Sequence, residues 1–483
     1  MNFYTNVLEG ISKDNISLST FNTEHTAGEL RELVSKYEEM LGHSNLEGKK
    51  VAILVDSIKN YIALFHAINK LNGTVVPLSL QFKSDDLTKV LNSLDPHIIF
   101  SVNVSVGFHF SGIMCQWANN FETKTTIFTT DDFITWDEHS FGSSTKNLSK
   151  LSGGYITFTS GSTGEPKGIV CEDGGFDYTC RCLAEAYELK PSDNMFIYSA
   201  TSSFYWVVSS NTVLKAGANL VVSDEFDLLK IIDTMEKTNC NKFSTTPSIF
   251  KSIYNFASKI KPEVLKNLEL VCVVGEKISP NFANSFPLME KCKFVSHYGS
   301  SEAGSIANGY IDSNSRLDDL EFVLVKGAEH KILEGELLLK TEGMFSQYYN
   351  NPILTEQAFE NGWFKTGDLV EFTSDRVFKI VGRKKDVIKK GGQQVVSSEV
   401  ESFLQNIEGI VNVAVVGVPH HIYGEQVVAF VIAEGVTATD IRSYCSGRIS
   451  SYKIPDKVIF IDDLPLTHGK VDKLKLIDQF MKG

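Results

Sequence analysis

The chain has 483 residues, 42% of them apolar and 22% charged, so it is long enough for two to four domains and too apolar for intrinsic disorder or a collagen-like repeat. Its 46 basic against 59 acidic residues leave a formal charge of −13, which argues against a protein that coats nucleic-acid phosphates and suits a soluble intracellular one. No apolar run approaches the roughly 18–20 residues of a membrane-spanning helix, and the N-terminus lacks the basic-then-apolar pattern of a signal peptide.

In chain order, the first helix is expected over 26–41. Leu30, Leu33, Val34, Tyr37, Met40 and Leu41 share one face there, and Thr26 with Glu29 forms a capping box. A buried strand over 50–55 leads into a second helical pattern over 58–71, closed by Gly73 and followed by a short strand over 74–77. Further apolar strand segments fall at 98–102, 155–159, 219–223, 269–274 and 293–296. Strands alternating with helices predict an α/β fold with mostly parallel sheets, whose ligands bind at the carboxyl ends of the strands.

The character changes near residues 368–390, where the stretch 376–390 sets seven basic residues into an otherwise acidic chain. A small α+β unit is expected beyond it: helix 398–406, strands 411–418 and 426–433, helix 439–449, strand 457–461, then a tail. The predicted division is a large domain over 1–382, a hinge over 383–386 and a small domain over 387–483. Eight cysteines are scattered from Cys115 to Cys445 with no metal-ligand spacing. Without a signal segment they are expected to be reduced, and the cytoplasm is the expected location.

The strongest local signal is the run Thr157-Phe158-Thr159-Ser160-Gly161-Ser162-Thr163-Gly164-Glu165-Pro166-Lys167-Gly168, directly after a strand-like segment. Hydroxyls and backbone N–H groups of such a turn can wrap polyphosphate oxygens, and a lysine adds charge. A Walker A loop is excluded, because Pro166 precedes Lys167 where that motif needs glycine and Gly168 replaces its Ser/Thr. A Ser/Gly linker in this place would be a poor match to the ordered pattern that follows a buried strand.

The run resembles the phosphate loop of the acyl-adenylate-forming enzymes: acyl-CoA synthetases, nonribosomal peptide synthetase adenylation domains and firefly luciferase. Four further motifs follow in the family's order. They are Ser296-His297-Tyr298-Gly299-Ser300-Ser301-Glu302, Trp363-Phe364-Lys365-Thr366-Gly367-Asp368, Val381-Gly382-Arg383-Lys384-Lys385-Asp386 and Leu464-Pro465-Leu466-Thr467-His468-Gly469-Lys470. The resemblance implies a mobile small domain and a set of site residues. Thr159, Ser160, Gly161, Ser162, Thr163, Gly164 and Lys167 would wrap phosphates, with Gly275, Glu276, Gly299 and Ser301 also lining the ATP site. Tyr298 would pack on adenine, Asp368 and Arg383 would reach the ribose, and Glu302 would hold Mg²⁺. Lys470 would bridge the substrate carboxylate and the α-phosphate. Lys385 aligns with the hinge, Lys389 with a lysine of the thiol step, and Gly391 and Gly392 with the loop the thiol approaches. Lys384 and Lys390 are read as solvated surface charges, and His297 and His468 as polar loop residues.

The acyl pocket of this family is partly built by the segment matching 196–217, with Phe204, Tyr205 and Val208 as its expected lining. α-Amino-acid-activating members place an aspartate there, whereas this segment holds no Asp or Glu. Burying an ammonium without a counter-ion is costly, so the implied substrate is an aryl or apolar carboxylic acid lacking an α-amine. The expected reaction is ATP-dependent formation of acyl-AMP, then transfer to a pantetheine thiol. CoA is the first acceptor considered and an acyl carrier protein the alternative; a non-catalytic ligase-like binding protein is a distant third. No nucleic-acid partner is expected.

Overall fold

The computed structural model describes residues 7–120, 124–145, 148, 151–160, 166–276, 278, 282–289, 291–311, 320–446, 448–467 and 470–482. Among them, two large sheets share one continuous apolar core and a third sheet carries its own. All eight cysteines are free thiols, and no described helix is long and apolar enough to cross a membrane.

The first sheet has eight strands. Thr74–Pro77, Lys50–Leu54, Ile98–Val102 and Thr125–Thr130 lie side by side and parallel. Every residue of Lys50–Leu54 is buried, as a strand covered on both faces requires. The helices expected beside these strands form at Ala27–Met40 and Ile58–Lys70, the first with its Thr26–Glu29 capping box in place. One edge of the sheet is the antiparallel hairpin Tyr155–Ser160 with Pro166–Cys171, to which Gln347–Tyr348 adds a further strand.

The second sheet has fourteen strands and two halves. Ile16–Ser19, Asn219–Val221, Asn194–Ile197, Lys242–Thr245, Leu270–Val274 and Lys293–Ser300 run parallel. From Lys293–Ser300 onward, Gly304–Ile311, Phe322–Leu324, Val377–Arg383, Trp363–Ser374, Glu336–Lys340 and Glu329–Leu333 pair antiparallel. The parallel expectation therefore describes only part of this sheet. Turns such as the three residues between Ser300 and Gly304 are too short for a crossover helix and can only join antiparallel neighbours. Lys293–Ser300 also runs four residues past its expected end, so Tyr298 and Gly299 lie on a strand, and His297 is a buried strand residue rather than a loop residue.

The third sheet, of five strands, begins at Val387–Lys390 and belongs to the small C-terminal domain. Alternate residues of Ile410–His420 serve two separate cores: Val413 and Val415 pack with Val400, Leu404 and Ile441, while Ala414, Val416 and Val418 pack with Phe430 and Leu476. The second of these cores corrects the expected tail, because Lys473–Lys482 is a helix whose Leu476, Ile477 and Phe480 cover that face. A hairpin not anticipated from the sequence joins Val387–Lys390 to Gln393–Val396, turning on Gly391 (φ +56°) and Gly392 (φ +79°). Two successive positive φ values are the geometry that glycine tolerates and other residues resist.

Candidate active site

The last parallel strand, Lys293–Ser300, ends where the antiparallel half of its sheet begins, and the residues leaving it open onto a cavity of about 330 Å³. Tyr298, Glu302, Tyr348, Lys365, Asp368 and Arg383 are among its walls. They come from separate stretches of the chain, and the strand register explains how they meet. Asp368 and Arg383 are direct cross-strand partners, and Arg383 Nε sits 2.6 Å from Asp368 Oδ1. The Tyr298 hydroxyl donates to Asp368 Oδ2. Burial and the neighbouring Asp368 charge push the Tyr298 phenol well above its usual range, so it remains a donor. Asp368 itself is buried within the strand Trp363–Ser374, where the backbone is locally distorted: Gly367 has φ +73°, its N–H donates to Glu336 Oε1 at 3.0 Å, and the Asp368 N–H donates to Thr366 Oγ1 at 3.0 Å.

Glu302 lies in the turn after Ser300–Ser301 and accepts a hydrogen bond from the Tyr348 hydroxyl at 3.0 Å through Oε1. Among the described residues no group of three or more His, Cys, Asp or Glu side chains could hold a metal. Glu302 offers the cavity a hard oxygen donor, the ligand type that Mg²⁺ takes, one or two carboxylates at a time, alongside phosphate oxygens and waters. Gly299 has no room for a side chain, since a Cβ would lie 2.6 Å from the Gly304 carbonyl oxygen. Ser301 turns its carbonyl toward the Cys171 thiol.

Of the phosphate-wrapping residues, Thr159 and Ser160 end the strand Tyr155–Ser160, and Thr159 pairs with Lys167 across the hairpin. Gly161, Ser162, Thr163 and Gly164 lie outside the described residues. Gly275 has φ +84°, and the Glu276 carboxylate accepts from the Ser248 N–H and hydroxyl, capping the helix Pro247–Ile260. The segment expected to line the acyl pocket forms the helix Phe204–Lys215. Phe204 stacks on Tyr155 with centroids 6.0 Å apart, and the Tyr205 hydroxyl joins a buried chain with Tyr187 and Ser244. Trp206 and Val208 are fully buried in the core. His297 stacks beside Tyr205 and hydrogen-bonds Asn308, and burial lowers it to about 4, leaving the ring neutral.

Beyond Arg383, Lys385 is exposed on the single 3₁₀ turn Lys384–Asp386, and Lys389 is exposed on the strand Val387–Lys390. Lys470 is described by its backbone, in the short strand Lys470–Val471 paired with Leu466–Thr467; His468 lies outside the described residues. Lys384 and Lys390 are not simply solvated, as expected, but ion-paired, with Glu336 at 2.9 Å and Asp456 at 2.7 Å. Glu336 and Tyr348 escape sequence reasoning, because a lone glutamate or tyrosine has no local pattern that marks it. Their importance appears only when the strands that carry them are paired.

Comparison with known proteins adds a family to this geometry. A family model described as AMP-binding enzyme matches residues 12–349, and one described as AMP-binding enzyme C-terminal domain matches residues 399–470. A long-chain-fatty-acid–CoA ligase of Mycobacterium tuberculosis is 26% identical over 459 residues, covering 90% of this chain and 88% of its own. A 3-hydroxybenzoate–CoA ligase of an Aromatoleum strain is 23% identical over 495 residues, covering 95% and 92%. Among solved structures, ATP-bound MatB from Rhodopseudomonas palustris has a TM-score of 0.83 at 22% identity, over 99% of both chains. At that identity the likeness speaks to the fold.

Proposed function

This chain belongs to the AMP-binding enzyme family, and on that premise we propose that it is an ATP-dependent acid–thiol ligase acting in two half-reactions. In the first, a carboxylate oxygen attacks the α-phosphorus of ATP and the bond to pyrophosphate breaks, giving acyl-AMP. In the second, a pantetheine sulfur attacks the acyl carbonyl carbon, the thiol proton is lost and AMP leaves with the former carboxylate oxygen. CoA is the acceptor favoured here, in keeping with relatives named as CoA ligases. The acid is aryl or apolar and lacks an α-amine.

What supports the reading most is the convergence of Tyr298, Glu302, Asp368 and Arg383 on one cavity. Bringing two anions together demands charge neutralisation and in-line alignment. Tyr298 offers a face for adenine. A carboxylate has about four acceptor directions, so Asp368 can bind Tyr298 and Arg383 and still accept from ribose hydroxyls. Lys167 and the hydroxyls of residues 159–163 serve the phosphates, and Lys470 approaches the reacting carboxylate and α-phosphate as a compact, flexible cation. Glu302 would hold Mg²⁺, which when bound neutralises phosphate charge. The small domain delivers Lys470 for the first step, then pivots over residues 383–386 to present Lys389, Gly391 and Gly392 for the second. In the acyl pocket, Phe204 and Tyr205 supply aromatic surface, and segment 196–217 supplies no carboxylate for an ammonium.

The direct test is acid-dependent exchange of labelled pyrophosphate into ATP across a panel of carboxylic acids. Exchange supported by aryl or apolar acids and not by α-amino acids is the expected result. Exchange with none of the panel would contradict adenylation, and exchange with α-amino acids alone would overturn the substrate class.

A further inference from the structure

Glu302 is gripped at both ends by one short segment. The Phe345 N–H donates to the Glu302 backbone carbonyl at 2.7 Å, and three residues later the Tyr348 hydroxyl donates to the carboxylate at 3.0 Å. That segment is itself tied to the strand that leaves the phosphate loop. Tyr348 pairs with Ile169 and Gln347 with Val170, the Ser346 N–H donates to the Val170 carbonyl at 3.0 Å, and the Tyr349 N–H donates to the Gly168 carbonyl at 2.7 Å. The Tyr348 ring is 9% exposed and set edge-on to Phe345 at 4.8 Å, and its own N–H donates to Thr355 Oγ1 at 3.0 Å. Few rotamers are open to a ring held this way.

We propose that Tyr348 is a positioning residue for metal binding, its hydroxyl fixing the Glu302 carboxylate so that one oxygen faces the nucleotide cavity. The inference rests on the reading of Glu302 as the Mg²⁺ ligand. A neutral donor suits this role, since it orients the carboxylate without cancelling the charge the cation needs, as a lysine or arginine in its place would. Partners that orient a ligating side chain typically matter about 10- to 100-fold in metal affinity. The anchoring also couples two parts of the site, since the strand carrying Lys167 and the carboxylate at Glu302 share a single support.

Tyr348→Phe removes one oxygen and keeps the ring, and its melting temperature checks that the fold is retained. In the full-length protein it is expected to need about ten-fold more Mg²⁺ for half-maximal pyrophosphate exchange, with the deficit narrowing as Mg²⁺ is raised. Mn²⁺ binding with a non-hydrolysable ATP analogue, followed by electron paramagnetic resonance, should weaken by a similar factor. An unchanged Mg²⁺ response, or a lower rate that no amount of Mg²⁺ relieves, would overturn the proposal. Glu302→Gln separates the two layers. If it keeps the wild-type Mg²⁺ response, the metal assignment itself falls; if it loses that response while Tyr348→Phe behaves as wild type, only the role of Tyr348 falls.

Discussion

A lysine carried on the small domain can serve one half-reaction without serving the other, because the second needs no charge placed between a carboxylate and a phosphate. Lys470→Ala should therefore abolish acid-dependent pyrophosphate release yet leave thioester formation from supplied acyl-AMP largely intact; loss of neither step would remove Lys470 from the mechanism. Asp368 differs, being nearly buried between Tyr298 and Arg383. Asp368→Asn leaves Arg383 without its counter-charge and weakens the acceptor for ribose, so the KM for ATP should rise at least about ten-fold, in line with the strength of charge-assisted hydrogen bonds; an unchanged KM would refute the ribose assignment. Two buried histidines set an acid limit on the fold. Burial lowers His297 to about 4 and His66 to about 3. An unfolded histidine takes up a proton below about 6.5. As pH falls through the interval from 6.5 toward those values, the unfolded state gains protons that the folded state excludes, and stability drops. For His297 alone the full interval corresponds to about 3 kcal/mol at 1.36 kcal/mol per unit. Denaturant midpoints should fall steadily from pH 7 to pH 4.5, and a flat profile would contradict the neutral, buried rings.

The turn Lys384–Asp386 links the last strand of the large sheet to the first strand of the small domain's sheet. Lys384 ties it to Glu336, whose other oxygen accepts the Gly367 N–H beside Asp368. Rotation about this link needs backbone freedom at Lys385, and proline removes it by fixing φ. Lys385→Pro should depress the complete two-step turnover more than pyrophosphate exchange; equal effects on both would argue against a hinge at this turn. Elements of this kind are unevenly legible in the sequence. The helices Ala27–Met40 and Ile58–Lys70 announce themselves by apolar period and cap, and Lys50–Leu54 by an unbroken apolar run. The antiparallel half of the second sheet does not, because its strands take their partners from turns and long-range register rather than from local composition. The helix Lys473–Lys482 is also obscured: Leu476 alone among its described residues is buried, and its lysines read as a solvated end.

Across the whole molecule, the cavity draws together residues between Tyr298 and Arg383 that only sheet pairing makes neighbours. The residues on which the proposed chemistry rests are legible in the sequence, because Glu302, Asp368 and Arg383 each sit inside a short recognisable string. Their supports are not: Tyr348 and Glu336 act through partners 46 and 31 residues away in the chain. The large domain's core and the two cores of the small domain are separate clusters, as the proposed movement of one body against the other would require. That division matches a ligase that must present two different groups to one bound acyl-AMP. The most direct test of the central claim is mass spectrometry of the protein incubated with MgATP and a carboxylic-acid panel, α-amino acids included, with and without CoA. The expected products are AMP and an acyl-CoA from an aryl or apolar acid that lacks an α-amine. Acyl-AMP that accumulates and ignores CoA would replace CoA with a carrier protein as acceptor, and the absence of both AMP and acyl-AMP with every acid would contradict the ligase reading itself.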